Sequence, residues 1–311
     1  MFNIVEKRNW YFIFSAVLIT LSVGALVASG LEFGQPMRIG IDFTGGSILV
    51  LKFDQPIGED AIRAVFDNYG MESAIIQPRG DPEDNTWQVR TREVTASEVG
   101  NLLNTIEAQV GTIDKDALNF DTVEPSVGGE VARAAGVAIL VASLIIVAFM
   151  WFSFRRVPNA FRYGVCTIAG MAHNLIISFG FYALMGIVAG WEVDALFLTA
   201  ILTVIGFSVQ DVIVVFDRIR ENIPRHKTEP FEKVVNRSIL ETIHRSLATQ
   251  LNAMFVMIAI ILFGGATIKP FIATMLVGMV SETYSAIFIA VPLLVVWEKA
   301  AARRATARVI A

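Results

Sequence analysis

The sequence predicts a helical membrane protein carrying one folded α+β module outside the bilayer, and three observations lead there. Hydrophobic residues make up 54% of the chain against 17% charged, and the mean hydropathy is +0.59, too apolar for a soluble chain of 311 residues. Apolar stretches at 10–31, 131–152, 163–190, 195–216, 247–263 and 271–297 are long enough, or nearly so, to cross a hydrocarbon core, which takes about 20 helical residues. Between the first two lies a polar segment, 32–130, holding 18 of the 29 acidic residues against 7 Lys and Arg.

The first span follows Lys7 and Arg8. Its apolar run exceeds the roughly 7 to 15 residues of a signal-peptide core, so it is read as an anchor and not as a cleaved leader, although Val27 and Ser29 would suit a cleavage site. Arg155, Arg156 and Arg162 fill the second connection, and Arg218 to Arg245 and Lys299 to Arg308 make the fourth connection and the tail basic. The short connections 191–194 and 264–270 carry only Lys269 as a base. The positive-inside rule therefore puts both termini in the cytoplasm and 32–130 outside. An acidic exoplasmic module argues against a nucleic-acid role.

Within that module, 47–53 reads as a strand, and 58–69 as an amphipathic helix on Ile62, Val65 and Phe66 ended by Gly70. Residues 73–78 and 86–92 read as strands across a Gly80-Asp81-Pro82 turn. Residues 96–110, with Val99, Leu102, Leu103 and Ile106 on one stripe, form a second helix ended by Gly111, and 117–123 a last strand. The order βαββαβ is that of a ferredoxin-like module. Its segment Gly40 to Ser47, GIDFTGGS, lacks the Lys-Ser/Thr of a phosphate loop and leads into a strand, so it is a glycine-enabled turn. Cys166, the single cysteine, lies in the third span and leaves the module without a disulfide.

The remaining spans carry polar stripes at helical spacing: Gly170, Asn174, Ser178 and Tyr182 in the third, Thr249 and Asn252 in the fifth, Thr274, Gly278, Glu282 and Ser285 in the last. Small-residue packing is their plain explanation, and lining a common interior is the functional one. Asp211 in the fourth span stands apart, because a carboxyl in hydrocarbon costs about 2.5 to 3.5 kcal/mol and marks an ion or proton path when it faces a bundle interior. Arg218 lies seven positions on, roughly 10 Å along the axis, too far for a direct pair. Burial penalises an ionised carboxyl and a nearby cation favours it, so a moving cation would switch Asp211. Spacing alone does not choose that cation among Arg218, Arg237 and Arg245.

GIDFTGGS at 40–47, EPSVGGEV at 124–131, GFSVQDVIVVFDRIREN at 206–222, and FGGATIKPF at 263–271 followed by TYSAIFIAVPLL at 283–294 together resemble the SecF family. Its members are the smaller subunits of the SecDF complex of bacterial protein translocation. The resemblance implies half of a resistance-nodulation-division-like transporter, with six transmembrane helices and a large loop after the first. It also implies use of the proton-motive force, with SecD as the other half, to assist preprotein export through the SecYEG channel in the bacterial inner membrane. By resemblance the proton carrier is Asp211 and the matching cation Arg245, at the start of the fifth span. Asn174, Thr249, Asn252 and Glu282 offer an auxiliary polar path. Asp42, Gly45, Gly46, Asp217 and Arg218 belong to family motifs with structural roles, the last two in a cytoplasmic helical elbow broken by Pro224 and Pro230.

The chain departs from the family pattern twice. His173-Asn174 stands where His-Asp is usual, and Ser281-Glu282 where small residues such as glycine are usual. One carboxyl is lost and another gained, which suggests a proton route shifted toward Glu282. The resulting division is 1–31 for the N-terminus and first helix, 32–130 for the exoplasmic module, 131–297 for helices two to six, and 298–311 for a cytoplasmic tail.

Membrane potential supplies about 2.3 kcal/mol per charge per 100 mV, enough for a conformational step but not for covalent chemistry. No enzymatic activity, metal or cofactor is expected. A small-molecule or lipid exporter of the wider superfamily would carry two large exoplasmic loops, where this chain has one. An intramembrane aspartyl protease needs two membrane aspartates, where only Asp211 lies at such depth.

Overall fold

The computed structural model describes residues 3–72, 74–80, 84–154, 159–265 and 268–310. Asp81 and Pro82 of the expected turn, Arg155 and Arg156 of the basic connection, Ser73, and Ala266 and Thr267 of the glycine-rich segment lie outside the described residues. The chain forms two compact units, Met1–Arg38 with Val137–Ala311, and Ile39–Gly136.

The smaller unit contains a helical turn α2 (Ile41–Thr44), strand β1 (Gly46–Lys52), helix α3 (Glu59–Asn68), strands β2 (Ile75–Pro78) and β3 (Thr86–Thr91), helix α4 (Ala96–Gln109) and strand β4 (Asn119–Val123). The sheet order is β2-β3-β1-β4 with every pairing antiparallel, which is the ferredoxin-like arrangement the element order implies. Leu49, Leu51 and Phe53 alternate onto one face of β1 and meet Ile62, Val65 and Phe66 of α3 and Leu102 and Ile106 of α4, all buried. Leu103, expected on the α4 stripe, is only partly buried. β4 begins two residues later than expected. Ala117 instead donates its N–H to Asp114 O in a turn.

The double glycine begins β1. Gly45 and Gly46 hold φ of 72° and 116°, and a Cβ at Gly46 would lie 2.7 Å from Thr91 O, so only glycine passes there. Ser47 then bonds Thr122 Oγ1 and accepts from Val94 N–H at 2.9 Å, fastening β1 to β4 and to the loop before α4.

That loop carries a capping box: Thr95 Oγ1 accepts from Glu98 N–H, and Glu98 Oε2 accepts from Thr95 N–H at 2.9 Å. The Thr95 backbone N–H and hydroxyl, with Arg92, hold Glu98 below the ordinary carboxylate range against the opposing effect of partial desolvation. A lowered folded-state value stabilises above the unfolded carboxyl's range and is lost as acid protonates the group. The module is therefore expected to lose stability as pH falls through that range, and Thr95→Ala to flatten this acid-side slope, as read from unfolding curves at several pH values.

The larger unit comprises α1 (Arg8–Phe33), the end of α5 (Pro125–Phe154), α6 (Ala160–Ala189), α7 (Ala195–Arg225), α8 (Phe231–Phe263), α9 (Lys269–Ser285) and α10 (Val291–Ile310). A single π-helical turn, Ala286–Ala290, joins the last two into one rod. Among the described residues, six helices are long and apolar enough to span a membrane. In α1, Ser15, Ser22 and Ser29 are buried while Trp10, Phe14, Leu21 and Leu31 are exposed. The small polar stripe faces the bundle, and the large apolar side chains face outward, as expected when lipid is the solvent.

α7 and the α9–α10 rod are the most enclosed spans, and α1, α5 and α8 the least. Helices outrun the hydropathy reading at several ends, α5 starting at Pro125 and α10 reaching Ile310, and two of these extensions form the α7–α8 elbow. α7 runs nine residues past Phe216, so Asp217 to Asn222 continue the same helix, with Pro224 inside its last turn. Pro lacks an N–H and disfavours helix in the residue before it, so the helix stops within two residues. α8 starts at Phe231, with Pro230 as its N-cap residue, 16 positions before the apolar run. Its added turns bury Val234, Val235 and Ile239.

Candidate functional site

α7 is, after the α9–α10 rod, the most enclosed span and presents Ala200, Ile201, Val204, Ile205, Ser208, Asp211, Val212 and Val215 as one buried stripe, at the spacing of a helix with one face inward. Asp211 is 3% exposed. Gln250 of α8 donates through Nε2 to Asp211 Oδ2 at 3.1 Å and to Glu282 Oε2 of α9 at 2.7 Å. Glu282 is fully buried. One neutral amide thus joins carboxyl groups on two helices.

A second polar cluster continues the first. Asn174 of α6 donates to Ser208 Oγ at 2.9 Å and accepts from Ser281 Oγ at 2.8 Å, and His173 Nδ1 lies 3.2 Å from Asn174 Oδ1. Ser208 precedes Asp211 by one turn and Ser281 precedes Glu282 by one residue. Hydrogen bonds therefore knit α6, α7, α8 and α9 together at one level, where a cluster left partly unsatisfied is costly. Among the described residues, His173 Nε2 and Glu282 Oε1 are buried there without a hydrogen-bond partner.

The structure separates the sequence candidates into two groups. Asn174 and Glu282 join Asp211 inside the bundle. Arg245, Thr249 and Asn252 are exposed and share the outer face of α8, at the i, i+4, i+7 spacing of one helical stripe. The expectation that Thr249 and Asn252 line the common interior of this chain is therefore corrected. Each step along a helix turns the side chain by about 100°, so Ser246 and Gln250, one residue on from Arg245 and Thr249, take the inner face instead.

Gln250 and Ser246 are the residues sequence reasoning missed. The periodic signal was available, because Val235, Ile239, Thr242, Ser246 and Gln250 recur at three- and four-residue steps and are all buried.

The motif residues lie elsewhere. Asp42 opens α2 ahead of the double glycine. Asp217 pairs with Arg220 at 2.5 Å, and Arg218 bonds Glu221 and Glu241 at 2.7 Å each. Asn222 Nδ2 adds bonds to Ser238 Oγ at 3.0 Å and Glu241 Oε2 at 2.8 Å, so this cluster closes the α7–α8 elbow. Arg218 is committed there to carboxylates other than Asp211.

Comparison with known proteins gives a consistent result. Residues 103–300 match the family model described as protein export membrane protein SecD/SecF, C-terminal, and residues 33–57 match the SecD/SecF GG motif. Protein translocase subunit SecF of Thermobaculum terrenum is 39% identical, covering 96% of this chain and 94% of the relative. The SecF of Anaerolinea thermophila is also 39% identical over the same shares. Among solved structures, SecDF of Thermus thermophilus, titled a translocon-associated membrane protein, superposes with a TM-score of 0.79 at 27% identity over 96% of this chain. A SecDF in a super-membrane-facing form gives 0.68 at 26% identity over 99%. The chain spans only 39% and 40% of those two SecDF chains.

Proposed function

Because this chain belongs to the SecF family of protein translocase subunits, a family of multi-pass membrane proteins, we propose that it works as one half of a SecDF-type machine. The other half is a SecD-type partner, and together they use the proton-motive force to assist preprotein export through a SecYEG channel. The observation that carries this reading is Asp211: an acid on one of the two most enclosed spans, tied to two other helices through Gln250, and bonded to no cation among the described residues. Such a group changes its charge when its surroundings change, and its neighbours feel that change.

In this reading both termini are cytoplasmic, the membrane is the bacterial inner membrane, and the acidic module on the opposite side transmits motion to the emerging chain. Arg245 is the cationic modulator. It stands on the open face of α8, where a partner half can reach it, and approaches Asp211 only when helices rotate or the halves rearrange. The double glycine and the α7–α8 elbow hold shape and carry no proton.

Vesicles containing SecYEG, this chain and a SecD-type partner test the reading. Preprotein export is expected to rise when a proton gradient is imposed, and to fall to the gradient-free level when either half is omitted. A rise with a sodium gradient and none with a proton gradient would reassign the ion. Equal export with and without this chain would reject the function.

A further inference from the structure

We propose that Asp211 and Glu282 act as one acid, a carboxyl–carboxylate pair holding a single exchangeable proton between α7 and α9, with Gln250 as the clasp that keeps them together. The inference rests on the proton-carrying reading of Asp211 and adds a second proton-bearing residue to it.

The geometry is specific. Gln250 Nε2 has two hydrogens, and its two acceptors are Asp211 Oδ2 at 3.1 Å and Glu282 Oε2 at 2.7 Å. The two carboxyl oxygens are thus no farther apart than those bonds laid end to end. Donation from a neutral amide brings no compensating charge. Two ionised carboxyls this close, both buried, repel in a medium that screens them poorly, so one proton shared by the pair is the arrangement such sites adopt.

Among the described residues, the surrounding groups supply no alternative counter-charge. From α6, His173 is turned toward Asn174 and Ser281. From α8, the facing groups are Gln250 and Ser246, whereas His244 and Arg245 are exposed. α7 and α9 supply the two acids themselves.

One buried atom marks where the proton rests: Glu282 Oε1 has no hydrogen-bond partner among the described residues. A proton on Glu282 Oε1 leaves Asp211 as the carboxylate accepting from Gln250. With one proton bound the pair carries a charge of −1, and a proton on either carboxyl makes the other harder to protonate.

The test is infrared titration of the full chain with its SecD-type partner in lipid vesicles, following the carbonyl band of buried protonated carboxyls. Wild type is expected to titrate in two steps, and Asp211→Asn and Glu282→Gln in one step each. The two wild-type midpoints should be spread by at least about one pH unit more than the two single-variant midpoints, the mark of coupled sites. Wild-type curves that equal the sum of the single-variant curves would overturn the pair. So would a band that responds to sodium and not to pH, which would make the site one for an alkali cation.

Should a variant fail to assemble, the wild-type titration alone decides, because a single step or none overturns the proposal. The spectroscopic readout is independent of export. Coupled steps without gradient-driven export would leave the pair standing and reject the motor function, and the reverse pattern would do the opposite.

Discussion

Asp211→Asn is expected to abolish the whole gradient-dependent part of preprotein export while leaving the protein assembled in the membrane. The amide nearly matches the carboxyl in volume, and its oxygen can still accept the Gln250 hydrogen that Asp211 Oδ2 now accepts at 3.1 Å. Packing along the α7 stripe, with Ile205 and Val212 on either side of Asp211, is unchanged. What the variant lacks is a group that gains and loses a proton. Export in SecYEG vesicles with a SecD-type partner, measured with and without a proton gradient, reads the effect directly. Equal stimulation by the variant and the wild type would remove Asp211 from the mechanism.

The second large effect is steric. A Cβ at Gly180 would meet Ser22 Cβ at 2.3 Å, Ser22 Cα at 2.4 Å and Ser22 O at 2.8 Å. Two of these are backbone atoms and cannot turn aside. α1 would have to move bodily off α6, taking with it the buried line of Ser15, Ser22 and Ser29. Gly180→Val is therefore expected to destabilise by about 3 kcal/mol or more, at or beyond the upper end for overpacked cores. Gly164 of the same helix has nothing within 4 Å of its Cβ position, and Gly164→Ala should stay within about 0.5 kcal/mol of wild type. Thermal unfolding in detergent compares the two. A Gly180 variant as stable as the Gly164 control would show that this contact does not hold α1.

Much of the fold could be read in advance because its signals are local. A run of apolar side chains long enough to cross a bilayer announces itself, and so does the βαββαβ order of breakers and periodicities between residues 47 and 123. The start of α8 could not be read that way. Residues 231–246 are too polar to look membrane-bound, and their Val235 and Ile239 share a buried cluster with Phe216 and Ile219 of α7, a contact distant in sequence.

The site divides along the same line. Asp211 and Glu282 were conspicuous as lone acids in apolar stretches. Gln250 was not, since a neutral amide in an apolar span gives no hint of what it touches. For Arg245, Thr249 and Asn252 the stripe was right but its direction was not. Periodicity shows which residues share a side of a helix, and only the neighbours show which side is inward.

The π-turn at Ala286–Ala290 changes how the last span is to be compared with others. Above it the inward residues include Thr274, Gly278, Ser281, Glu282 and Ser285, within it Ala286, Ile287 and Ala290, and below it Val291, Leu294 and Val295. One wider turn inserts roughly a residue's worth of extra winding, so a reading frame carried down from Glu282 slips out of phase beyond Ser285. A scan of polar replacements along this rod should show its intolerant positions changing phase at Ala286, and an alignment that enforces a single helical period through the span would pair the wrong side chains below that point.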